Sequence, residues 1–223
     1  MTRLVLVPSP FVGANSWGAL ARALPDALAA DYDGVSGPDW YDGMAKRVAA
    51  QADGRPWIAV MHSGAGGFAP ALAAASTDIA SLIFVDAVLP YPGRSCLENA
   101  PADLAAQLRR LTTAGHLPTW NQWFGEDPTP RLVPDHDARA AFIAELPRVP
   151  FAFLEAVCPV DRRWEALPAA YVQLSKGYAD TADQAEQRGW TVRRARLHHL
   201  AMLSDPDKVA ELLTDLPLSR ARA

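Results

Sequence analysis

Several features that would commit a chain to metal, nucleotide, nucleic acid or membrane are missing here. Cysteine is nearly absent: Cys96 and Cys158 are the only two, without CxxC spacing or a neighbouring histidine cluster, which argues against a thiolate metal site and a redox pair. They read as small buried hydrophobes. Lysine is scarce as well, and none of Lys46, Lys176 and Lys208 carries a cofactor signature. Gly13, Gly18 and Gly34 do not form a Gly-x-Gly-x-x-Gly run, and there is no Gly-Lys-Ser/Thr phosphate loop, so no nucleotide cofactor is expected. No stretch approaches the roughly 18 consecutive apolar residues of a membrane helix, and the run from Leu4 to Val7 stops at Pro8, too early for a signal-peptide core. A net charge of −4 with scattered basic residues offers no stripe for a phosphate backbone. Nucleic acid and membrane are therefore not expected partners, and the expected setting is the cytoplasm.

What is present is the balance of one globular domain: 223 residues, 50% hydrophobic and 21% charged. The run Arg3 to Val7 reads as a buried strand closed by Pro8-Ser9-Pro10. A helix is expected from Ser16, as its N-cap, to Ala29, with Trp17, Leu20, Leu24 and Leu28 at helical spacing. A second runs from Asp42 to Ala52 and ends before Pro56. Strands follow at Trp57 to Met61 and Ser81 to Val85, separated by a glycine-rich turn and a helix over Phe68 to Ala75. Near-continuous apolar strands alternating with helices indicate a parallel sheet covered on both faces.

From Pro90 to Arg163 the rhythm changes to prolines and helical pieces, Ala102 to Ala114 and Asp137 to Glu145, as in an insertion or lid. Strands return at Ala170 to Leu174 and Thr191 to Ala195, and a last helix spans Asp207 to Leu216 behind Asp205-Pro206. The expected class is α/β: a three-layer α/β/α sandwich with a mostly parallel sheet, one domain over 1–223, with 90–163 as a helical cap.

Ligands of such sheets bind beyond the carboxyl ends of the strands. There the sequence reads Val60-Met61-His62-Ser63-Gly64-Ala65-Gly66-Gly67, a strand ending at a serine followed by small residues. A strand-to-helix elbow exposes such a hydroxyl in a strained turn, and the Gly64 N–H with the following helix start can hold negative charge on a carbonyl oxygen. Serine needs a base to become a nucleophile. The pair His198-His199, in the loop after the last strand, can reach the same edge, and His199 is taken as that base. His62 and His198 are assigned to the pocket, and His116 and His136 to the insertion. Trp120, Trp123 and Phe124 are expected to wall an apolar pocket for a small hydrophobic substrate. Glu126, Asp127, Asp135 and His136 could suggest a metal, but Pro128 and Pro130 break the spacing that would converge them, and no metal is expected.

This elbow and histidine loop resemble those of the α/β-hydrolase superfamily over essentially the whole chain, in the family's order of serine, acid, histidine. The family's Gly-x-Ser-x-Gly elbow has Met61 and Ala65 in its glycine places here, and His199 lies seven residues before Pro206, the interval of the family's terminal pattern. The resemblance implies an acid at Asp86, which ends the strand after the nucleophile helix, with Asp180 beyond the penultimate strand as the alternative. It also implies an oxyanion donor after the first strand, where Pro10 has no N–H and Phe11 is the substitute beside Gly64. The implied activity is a cofactor-free serine hydrolase of hydrophobic esters, lactones or thioesters. A cofactor-free lyase or cyclase using the same cleft, and a noncatalytic binding protein, are the alternatives.

Overall fold

The computed structural model describes residues 2–214 together with Leu216 and Pro217. Six strands form one sheet in the order β2-β1-β3-β4-β5-β6: β1 (Arg3–Val7), β2 (Leu28–Ala29), β3 (Trp57–His62), β4 (Ile79–Val85), β5 (Ala169–Gln173) and β6 (Thr191–Arg194). All five neighbouring pairs are parallel, with Val5 opposite Ala59, Met61 opposite Phe84 and Phe84 opposite Tyr171.

The pleat sends alternate side chains to opposite faces, and both faces are buried. Val5, Val7, Ala59, Met61, Leu82, Phe84 and Tyr171 belong to one core, packed with residues of α2 (Trp40–Gln51), α3 (Ala69–Ala75) and α9 (Ala179–Gln187). Leu6, Val60, Ile83, Val85, Ala170 and Val172 belong to the other, with α1 (Gly18–Ala23), α10 (Ala201–Ser204) and α11 (Pro206–Leu213). The expected three-layer α/β/α sandwich is the observed fold. Between β4 and β5 the chain carries the short helices α4 (Cys96–Asn99), α5 (Ala102–Leu111), α6 (Thr129–Leu132), α7 (His136–Ala144) and α8 (Phe151–Glu155).

The first expected helix is wrong in extent. Ala14–Trp17 is a 3-10 turn, α1 ends at Ala23, and Leu28 lies in β2 beside Val5. Pro25 is the reason: it forces Leu24 out of the helical region, to φ −112° and ψ 114°, so the leucine spacing that continues across it is not one helix. Ser16 is not a cap either, since its hydroxyl donates to the Gly13 carbonyl from inside the 3-10 turn. The last helix stops at Leu213, short of the expected Leu216, which is buried beyond its end. Among the described residues no helix is long and apolar enough to cross a membrane.

The segment after β3 is held by close approach. Ser63–Phe68 forms a 3-10 turn ahead of α3, and the Val88 N–H donates to the Ser63 carbonyl at 3.0 Å. A Cβ on Gly66 would stand 1.9 Å from the Val88 carbonyl oxygen, so glycine is required by backbone contact with the loop after β4. Gly66→Ala is expected to cost about 1–3 kcal/mol or more, because backbone must move. The urea midpoint checks this, with Gly125→Ala, whose added Cβ meets nothing within 4 Å, as the near-neutral control.

Candidate active site

The carboxyl ends of β3, β4, β5 and β6 lead into Ser63, Asp86, Ser175 and the His198-His199 loop at one edge of the sheet. Ser63 has φ +53° and Asp86 φ +41°, a region that costs non-glycine residues on the order of 1–3 kcal/mol and clusters at functional sites. For Ser63 this is the strained turn expected of the elbow.

Asp86 has no exposure. Its Oδ1 accepts from the Leu174 N–H at 2.7 Å and the Ser175 N–H at 3.0 Å, and its Oδ2 accepts the Ser175 hydroxyl at 2.6 Å and His199 Nδ1 at 3.1 Å. Burial works to raise this carboxyl, but the hydrogen bond and charge of His199, with the Ser175 bonds, outweigh it and hold the group below its ordinary value. An ionised carboxylate only accepts, so His199 Nδ1 carries the proton and Nε2 is left as the basic nitrogen. Asp180 is exposed in the first turn of α9, and the carboxylate on His199 is Asp86.

Two rings flank the imidazole. Tyr178 stacks on His199 with centroids 5.1 Å apart and planes 6° from parallel, and its hydroxyl lies 3.5 Å from Ser63 Oγ. Burial pushes the Tyr178 phenol up to about 12, so it stays protonated at neutral pH. His62, 4.5 Å from His199 between ring centroids, has no exposure and donates from Nε2 to the His199 carbonyl at 2.9 Å. Burial first, and then His199, lowers its pKa to about 3, so it is neutral.

Ser63, Gly64, Phe11, Tyr178 and His199 open on a cavity of about 320 Å³, walled by Trp120, Trp123, Phe124, Val88 and Leu108 among others. Phe11 packs edge-on to Trp123, and its N–H points at the Ser9 hydroxyl at a long 3.4 Å. Trp120, Trp123 and Phe124, expected to wall an apolar pocket, all line this cavity. Two residues assigned to the pocket, His62 and His198, do not line this cavity. His62 lies beneath the site, because strand alternation places it on the Val60 face, against Trp17; that parity was legible in the sequence. His198 lines the adjoining cleft instead, where Nε2 meets the Ser204 hydroxyl at 2.9 Å. Ser175 and the contacts of Tyr178 have no local signature and emerge only from the fold. Of the acidic group near Pro128, Asp127 is engaged with the Asn121 amide and the Thr129 N–H, and Asp135 caps α7. Cys158 is buried and Cys96 half-buried at the cavity wall, and burial raises both thiols, to about 12 and about 11.

The sequence matches the model of the Alpha/beta hydrolase family over residues 4–212. The chain belongs to that family. No protein of curated function matches it. Among solved structures, this hydrolase-family chain is similar to an extracellular alpha/beta-hydrolase from a Paenibacillus species, described as sharing structural and functional homology with tobacco salicylic acid binding protein 2. That likeness has TM-score 0.76 at 20% identity and covers 100% of each chain. A thermophilic esterase from Thermogutta terrifontis gives TM-score 0.63 at 18% identity over 96% of this chain and 88% of that one. An enzyme described by its recognition and ring-cleavage of the Pseudomonas quinolone signal gives 0.61 at 14% identity over 97% and 92%. At these identities the likeness is one of fold.

His62 sets a pH dependence of stability. Its folded pKa, about 3, lies below the unfolded value near 6.5, so its contribution is complete above pH 6.5 and is lost as pH falls toward 3. The carboxyl of Asp86 is also lowered, but that contribution fades only below its unfolded value near 3.8. Between pH 6 and 4.5, unfolding free energy from urea titrations is expected to fall with a slope that His62→Gln reduces by up to about 1.4 kcal/mol per pH unit. His198, lowered by its own burial, adds a share that the substitution leaves in place.

Proposed function

We propose that the chain is a serine hydrolase acting on small to medium hydrophobic esters, lactones or thioesters through an acyl-enzyme. The observation that carries this reading is the Asp86–His199 pair, closed by a 3.1 Å bond, opening with strained Ser63 onto one apolar cavity. In the proposed reaction Ser63 leaves Tyr178 by rotation about χ1, His199 Nε2 takes the hydroxyl proton, and Oγ attacks the substrate carbonyl carbon. The Gly64 and Phe11 N–H groups receive the oxyanion in place of the donor that Pro10 lacks. His199 passes its proton to the leaving group, then takes one from the water that releases the acyl group, while Asp86 stabilises the cationic imidazole. The helical segment 90–163 serves as the cap of a single domain, and its aromatic wall selects the acyl or aryl group. The proposed setting is the cytoplasm, where free Cys96 and Cys158 stay reduced.

A second reading has its own support. Ser63 rests on Tyr178 while the Asp86–His199 base is already assembled, and Pro10 removes a backbone donor. A base of this kind can abstract a substrate proton without acyl transfer, as a cofactor-free lyase or cyclase would. Solvent labelled with oxygen-18 separates the two, because hydrolysis alone places water oxygen in the product acid.

Treatment with a fluorophosphonate probe followed by intact-mass measurement is expected to add one label to the wild-type protein and none to Ser63→Ala or His199→Ala. Asp86→Asn is expected to slow labelling by about 10³–10⁴-fold through the wrong imidazole tautomer. Absence of label on folded wild-type protein with a small, freely entering probe would overturn acyl transfer and favour base catalysis or a noncatalytic binding role.

A further inference from the structure

Tyr178 contacts both reactive side chains of the site, and the proposed mechanism uses it only as the resting partner of Ser63. We propose that Tyr178 is a positioning residue of the general base: its ring face stabilises the imidazolium of His199 by a cation–π contact. This rests on the serine-hydrolase reading for its catalytic meaning, though not for its physical measurement.

The ring planes of Tyr178 and His199 are 6° from parallel with centroids 5.1 Å apart, within the roughly 6 Å range over which an aromatic face attracts a cation. The neutral imidazole gains little from that face. The cation gains more, so the contact favours the protonated base that exists in the transition state over the neutral one at rest. A cover is needed in any case: a ring on His199 excludes water and by itself disfavours the charge. An aromatic cover compensates through its quadrupole, and an aliphatic one would not.

The other groups facing His199 do not duplicate this effect. Asp86 binds Nδ1 in the ring plane, and His62 is neutral and gives its N–H to the backbone carbonyl. The side chain of His198 meets Ser204 instead. The cleft beyond His199 adds Glu126 and Asp127 against Arg131 and Lys176, which balance in formal charge. None of these changes when Tyr178 is replaced.

Two replacements separate ring from hydroxyl. Tyr178→Phe keeps the face and removes the contact with Ser63 Oγ; Tyr178→Leu keeps an apolar cover and removes the face. The imidazole titration of His199, followed by nitrogen-15 NMR in the intact protein and assigned with His199→Gln, is expected to move down by about half to one pH unit in Tyr178→Leu and to stay within about 0.2 unit in Tyr178→Phe. The midpoint of the fluorophosphonate labelling rate against pH is expected to shift in the same direction in Tyr178→Leu and to hold its place in Tyr178→Phe. A His199 titration equal in wild type and Tyr178→Leu overturns the proposal, as does an equal shift in both variants, which would assign the effect to the hydroxyl. NMR reads the stacking whether or not Ser63 reacts. A shift found in protein that takes no label leaves the stacking standing and overturns the hydrolase reading, whereas normal labelling without a shift does the reverse.

Discussion

A carboxylate cut off from water either collects donors or loses its charge, and the candidate active-site edge of this molecule is organised around one that collects them. Asp86 takes two N–H bonds and a hydroxyl from Leu174 and Ser175, and a fourth bond from His199. Those partners come from the ends of β5 and β6, so a single buried anion at the end of β4 ties three neighbouring strand ends together. The bond to His199 is then a consequence of packing as much as of chemistry. The loop that carries the histidine is also held from the other side, by His62 donating to its backbone carbonyl.

The sheet supplies the rigidity this arrangement needs. Strand alternation divides its apolar residues between two cores, one under α2, α3 and α9 and one under α1, α10 and α11. Both close around β3 and β4, the strands that deliver Ser63 and Asp86. Burying a side chain such as Met61 or Phe84 contributes roughly 1.5–3 kcal/mol, and several such terms on each face offset the local strain of two residues at positive φ. Met61 fits where the family's elbow has glycine because it lies on the α3 side of the sheet, inside the core. Gly66 cannot be relaxed in the same way, since its missing Cβ is the space occupied by the Val88 carbonyl.

Above this edge the cavity wall is mostly apolar, with Ser63, Gly64, His199 and Tyr178 among its polar members and Asn99 and Tyr91 contributing others. The charged residues gather instead in the adjoining cleft, on the far side of Trp120, Phe124 and His199, which line both spaces.

Local patterns in the sequence were enough for the class of fold and for two residues of the candidate site. Apolar runs bounded by Pro8, Pro56 and Asp86 marked three strands, and Ser63 and His199 stood out because an elbow and a His-to-Pro206 interval are both contiguous in the chain. Pro25 misled the first helix because leucine periodicity persisted across a residue that stops it. His62 was misplaced because adjacency to Ser63 says less about direction than strand parity does. Tertiary structure alone gave the rest: the bond by which Asp86, already preferred to Asp180 on the family resemblance, holds His199, the role of Ser175 as its donor, and the stacking of Tyr178 on His199. Each of these joins residues 21 to 113 positions apart, and no local propensity encodes a distance that exists only once parallel strands have been set side by side.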